Sequence, residues 1–129
     1  MTASQLHMVL GWSLMLVGGI SGAVIGLRFH ESEWAGGYAS FRRRLLRLGH
    51  VAFFGLGIIN VLFALAMIQV PPGAPYQALA SAGFVVAGIC MPLCCFLTAW
   101  REPFRHFFAI PVLGVFLGVG ALLLGWAAA

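Results

Sequence analysis

Lysine and aspartate are absent from this sequence, acidic residues number three, and asparagine occurs once, at position 60. Charged side chains make up 8% of the 129 residues, while 62% are apolar. A water-soluble domain of this length carries about a quarter of its residues charged, so a solvated surface is excluded and lipid is the solvent that fits. No acidic residue falls inside a long apolar run, which excludes a transporter that moves protons or cations through buried carboxylates. No phosphate-cradling glycine loop, zinc motif or nucleophile elbow is present, and no segment is long enough for the extramembrane readout domain of a receptor. Cysteine occurs three times, all between positions 90 and 95; an odd count argues against a disulfide framework.

The charges that do occur are confined to two places. Arg28, Glu31, Glu33, Arg42, Arg43, Arg44 and Arg47 form one group, and Arg101, Glu102 and Arg105 the other. The charge-free runs are residues 1–27, 48–100 and 106–129. Crossing the hydrocarbon core takes about 20 helical residues, so the outer runs each hold one span and the middle run holds two. The middle run breaks at Pro71-Pro72-Gly73-Ala74-Pro75, a cluster that cannot continue a helix. The expectation is a single all-α membrane domain over 1–129, an up-down-up-down bundle with helices at about 7–28, 46–70, 76–100 and 105–127. The first span has no basic start and its Arg follow it, so it reads as a retained helix and not a signal peptide. The Arg42–Arg47 stretch is short enough to extend the second helix into the headgroups.

Both Arg-bearing loops fall on one side of such a bundle, and the other side has none. Under the positive-inside rule this puts the Arg loops in the cytoplasm and both termini outside it, as in a bacterial inner membrane. The net charge of +4 then reports topology, with attraction to anionic headgroups, and gives no basis for nucleic-acid binding. Trp12 and Trp126 sit near one interface and Trp34 and Trp100 near the other, as an aromatic belt requires.

Helices in lipid associate by close packing, so small residues mark their contacts. Gly18, Gly22 and Gly26 recur at four-residue intervals in the first helix, and Gly114 and Gly118 do so in the fourth. They predict packing within the chain or docking on another membrane subunit. Asn60, alone in mid-span, needs a partner, and Ser13, Ser21 and Ser81 are candidates by depth.

Each half of the chain also begins its returning helix with a histidine: Arg47-Leu48-Gly49-His50 in one, Arg105-His106-Phe107-Phe108 in the other. Helices 2 and 4 lie diagonally in a four-helix bundle, and two imidazoles facing across it can supply both axial ligands of an iron porphyrin. Phe53, Phe54, Gly55, Gly57, Phe107 and Phe108 would make room, and Arg47 and Arg105 would meet the propionates. Pro92 and Pro111 are expected to bend helices 3 and 4 at this level. The arrangement resembles the b-type cytochromes, in which paired histidines on opposed helices clamp haem. The resemblance implies one haem b between His50 and His106. Against it, a histidine near a membrane interface commonly bonds backbone or headgroup without any cofactor. His7 reads as interfacial and His30 as a solvated loop residue. Cys90 and Cys94 share a helical face on which copper(I) is conceivable, although membrane cysteines usually act as small apolar residues.

Two functions follow from different classes. The first is a small accessory, structural subunit of a larger membrane complex, of the respiratory or photosynthetic electron-transfer kind, with other membrane subunits and lipid as partners and no catalysis of its own. The second is the haem-bearing redox protein.

Overall fold

The computed structural model describes residues 1–128, and within them the chain is helical with no strand. Four helices follow in order: α1 Ala3–Arg28, α2 Phe41–Gln69, α3 Ala74–Trp100 and α4 Ala109–Ala127. Together with the 3-10 segment Glu102–Phe108 that leads into α4, these give four helical segments long and apolar enough to cross a membrane. Such a chain fits an integral membrane protein.

The ends of the helices follow local chemistry. Thr2 and Gln5 form a reciprocal capping box at the start of α1. Ser40 accepts the Arg43 N–H at the start of α2, so that helix begins at Phe41, ahead of the expected position 46. Pro75 stands in the first turn of α3, where its missing N–H is no loss. Pro111 has no N–H to give the carbonyl four residues earlier. Accordingly the chain before it runs as a 3-10 helix, and α-helix sets in only at Ala109. Pro92, in contrast, lies buried inside an α3 that continues past it.

Neighbouring helices pack in chain order, α1 on α2, α2 on α3 and α3 on α4, and α1 also touches α3. Glycine sets the closest approaches. A Cβ on Gly11 would lie 2.6 Å from the Gly57 carbonyl oxygen, and one on Gly114 would lie 2.9 Å from that of Gly83. Gly18 lies against Phe53 and Phe54, Gly22 against the His50 ring, Gly49 against Cys95 and Phe96, and Gly118 against Phe84. The apolar core gathers Phe63, Met67, Ala80, Phe84 and Ala121. Trp126 closes the Pro71–Pro75 end by donating its indole N–H to the Val70 carbonyl at 2.8 Å.

Candidate functional site

Three polar side chains of the interior, one from each of α1, α2 and α3, meet at one point. His7 enters the core from α1 and is fully buried. Its Nδ1 is 2.6 Å from Asn60 Oδ1 on α2, and its Nε2 is 2.8 Å from Ser81 Oγ on α3. The Asn60 amide nitrogen donates to the carbonyls of Leu56 at 2.8 Å and Phe84 at 3.4 Å. With Nδ2 so committed, Oδ1 accepts the His7 Nδ1–H, Nε2 keeps its lone pair, and the Ser81 hydroxyl donates to it. Gly88 on α3 leaves the space this needs, for a Cβ there would lie 3.0 Å from Leu14 and 3.2 Å from Asn60 Nδ2. The Phe63 ring meets the imidazole edge-on at 4.7 Å. At 1.5 Å rise per residue, His7 sits about 6 Å from the start of α1 and Ser81 about 10 Å from the start of α3, in the half of the molecule that carries no arginine.

A Ser–His–Asn chain in this order has the connectivity of a hydrolytic triad. It lacks the remainder of such a site. Ser81 stands inside α3, where backbone N–H groups are committed to the helix ladder and none is free to meet an oxyanion. What the arrangement does is satisfy three polar side chains in an apolar interior while tying α1, α2 and α3 together.

His7 was expected at the interface; its burial is a correction, and its reason is Asn60, which needs an acceptor–donor partner and finds it on α1. Of the serines proposed for Asn60, only Ser81 joins the network, through His7. Ser13 is exposed, and Ser21 donates to the Gly18 carbonyl at 2.9 Å.

The other histidines are held separately. His50 Nδ1 donates to the Gly18 carbonyl at 2.8 Å, with Ser21 Oγ at 3.5 Å. Its ring lies on Gly22 and meets Phe54 edge-on at 5.5 Å. His50 is therefore turned toward α1. His106 is exposed in the 3-10 segment before α4, a helix that packs on α3. The recess beside that segment, of about 220 Å³, is lined by Cys90, Cys94, Phe104 and Phe107 and by neither imidazole. Arg47 lies with its guanidinium 5.7 Å from the Phe29 ring, and Arg105 is exposed. The structure does not bring the four residues of the haem proposal together. Among the described residues no three His, Cys, Asp or Glu side chains cluster as metal ligands.

The glycine stripes divide. Gly18 and Gly22 face α2, and Gly114 and Gly118 face α3, whereas Gly26 has open space where a Cβ would be. Gly19, also on α1, is open in the same way.

The loop between α1 and α2 closes over a second buried group that sequence reading passed over. Arg43 is 1% exposed. Its guanidinium lies 4.4 Å from the Phe29 ring, 5.4 Å from Trp34 and 3.9 Å from Tyr38. It donates to the carbonyls of Phe29, Glu31 and Ser32. Gly36 and Gly37, at φ 88° and 90°, make the reversal that side chains with a Cβ resist. The arginine run from 42 to 47 was the visible signal, but which member turns inward depends on the aromatic residues of a loop whose path no periodicity announces.

No protein-family model, no curated protein and no solved structure matches this chain.

Proposed function

We propose that the chain is a small accessory, structural subunit of a larger membrane complex, without catalysis of its own. The carrying observation is the open flank of α1. This helix packs on α2 and touches α3, but shares no packed face with α4. Gly19, Ala23 and Gly26 lie exposed along it at four- and three-residue spacing. Small residues facing outward give no side-chain contact within the chain, yet they let a partner helix approach closely in lipid. The parent complex in this proposal is a respiratory or photosynthetic electron-transfer assembly.

In this proposal the four helices run up-down-up-down. Its support is the order of contacts: Gly11, Gly18 and Gly22 meet residues of falling number along α2, and Gly83 of α3 meets Gly114 of α4 while Tyr76 meets Gly125. The Arg-bearing loops face the cytoplasm of a bacterial cell, and the termini and the Pro71–Pro75 turn face away from it, on the grounds of arginine segregation.

Two leucine substitutions on α1 test the docking face. Gly26→Leu should leave the chain folded with an unchanged melting transition, but release it from its complex on gentle-detergent isolation. Gly22→Leu, which drives a branched chain into the His50 ring, should instead lower the melting transition. Retention of the Gly26→Leu chain at wild-type levels in its complex would remove the open flank as the docking face.

A further inference from the structure

Arg47, Leu48 and Val51 lie three, four and seven residues after Arg44, so the four form one stripe on α2. All four are exposed, and together they line a surface recess of about 320 Å³. The stripe continues along the same face through Gly55, Ile58 and Leu62. Gly55 has nothing within 4 Å of where a Cβ would stand, so it leaves a gap in that stripe between exposed Val51 and Ile58. Two guanidinium groups thus stand at the head of an exposed apolar stripe on a helix long and apolar enough to cross a membrane.

Both guanidinium groups are steadied and neither is neutralised. Arg44 donates one N–H to the Ala39 carbonyl at 3.0 Å, and Arg47 lies over the Phe29 ring at 5.7 Å. The carboxylate of Glu31 is paired with Arg28 at 3.4 Å, and among the described residues no acidic side chain pairs with either arginine. Each keeps free N–H donors in a planar fork suited to phosphate oxygens.

We propose that this recess binds one anionic glycerophospholipid. Its phosphodiester would bridge Arg44 and Arg47, and one acyl chain would lie along Leu48, Val51, Gly55 and Ile58. A free phosphate would use only the arginines. A zwitterionic headgroup would bring its own cation beside two others. A monoanionic headgroup of the phosphatidylglycerol type meets both the charge and the stripe. This requires only that α2 spans the bilayer, and it is independent of any protein partner of α1.

Native mass spectrometry of the full chain in detergent tests it, with phosphatidylglycerol, phosphatidylcholine of the same acyl chains, and inorganic phosphate as probes. The expected result is preferential retention of phosphatidylglycerol. An arginine near a charged headgroup contributes about fivefold in affinity, so Arg44→Gln with Arg47→Gln should lower that retention by roughly 25-fold. The matched control, Arg101→Gln with Arg105→Gln, removes the same charge elsewhere and should change retention little. Gly55→Trp fills the gap without touching the arginines and should weaken phosphatidylglycerol but not phosphate. Since all five positions except Gly55 carry exposed side chains and Gly55 opens outward, the variants should melt as the wild type does. Equal retention of the two lipids, equal losses from the two double variants, or displacement of the lipid by inorganic phosphate at comparable concentration would each overturn the proposal.

Discussion

Removing the His7 ring is the sharpest perturbation available in this fold. His7→Ala deletes two interhelical bonds at once, those to Asn60 at 2.6 Å and Ser81 at 2.8 Å. In membranes each such bond is worth about 0.6 kcal/mol on average and at most about 1.7. The pair therefore accounts for roughly 1–3 kcal/mol. The Asn60 oxygen is then left without a donor in a fully buried setting, and an orphaned acceptor adds about 1–3 kcal/mol. The edge-on contact with Phe63 is lost as well. We expect a total of about 2–6 kcal/mol, read as reversible unfolding in mixed micelles or by steric trapping in bicelles. Leu16→Ala, at a residue 67% exposed, is the control and should move stability by less than about 0.5 kcal/mol. A cycle with Asn60→Ala should show coupling of at least about 0.6 kcal/mol. Strict additivity, or a His7→Ala loss no larger than the Leu16→Ala loss, would refute the polar network as a source of stability.

Three further outcomes are expected. Topology reporters fused to the N-terminus, the C-terminus or the Pro71–Pro75 turn should report a non-cytoplasmic location, and a cytoplasmic signal from any of them contradicts the orientation drawn from arginine segregation. Arg43→Met keeps an unbranched apolar stem but removes the cation held by Phe29, Trp34 and Tyr38; losing even one desolvated cation–π contact of about 1–2 kcal/mol should speed limited proteolysis within residues 29–40 by roughly tenfold, and Arg43→Lys should not restore protection because a compact ammonium lacks the spread planar fork that reaches the carbonyls of Phe29, Glu31 and Ser32. An accessory subunit without haem shows no haem absorption band in the purified chain, whereas a band abolished by both His50→Ala and His106→Ala, and untouched by His30→Ala, would establish the redox protein instead.

The spans were legible because charge is so scarce. In a chain with ten ionisable Arg and Glu side chains, the places where they stand are the places where helices leave the lipid, and Pro71–Pro75 supplied the remaining break. Glycine marked most contacts, and Gly18, Gly22, Gly114 and Gly118 do lie between helices. Facing was not legible. In water an amphipathic stripe tells which side of a helix is buried; here protein and lipid are equally apolar, so the pattern that would have turned His7 inward or Gly26 outward is missing. The start of α2 was placed late for a related reason. Four arginines between 42 and 47 look like a helix end, yet the Ser40 cap and the aromatic loop that covers Arg43 let the helix begin ahead of them, at Phe41.

The His7–Asn60–Ser81 network also bears on how the chain is made. His7 and Asn60 belong to the first pair of helices, and Ser81 belongs to the second. During synthesis the first pair can satisfy one imidazole nitrogen as soon as it is in the bilayer, while the other waits for α3 to emerge. The interval leaves a polar group unsatisfied within lipid, a state that costs free energy until its partner arrives. Ser81→Ala would make that interval permanent, so its consequence should be seen in the lifetime of the newly made chain as well as in the stability of the finished one.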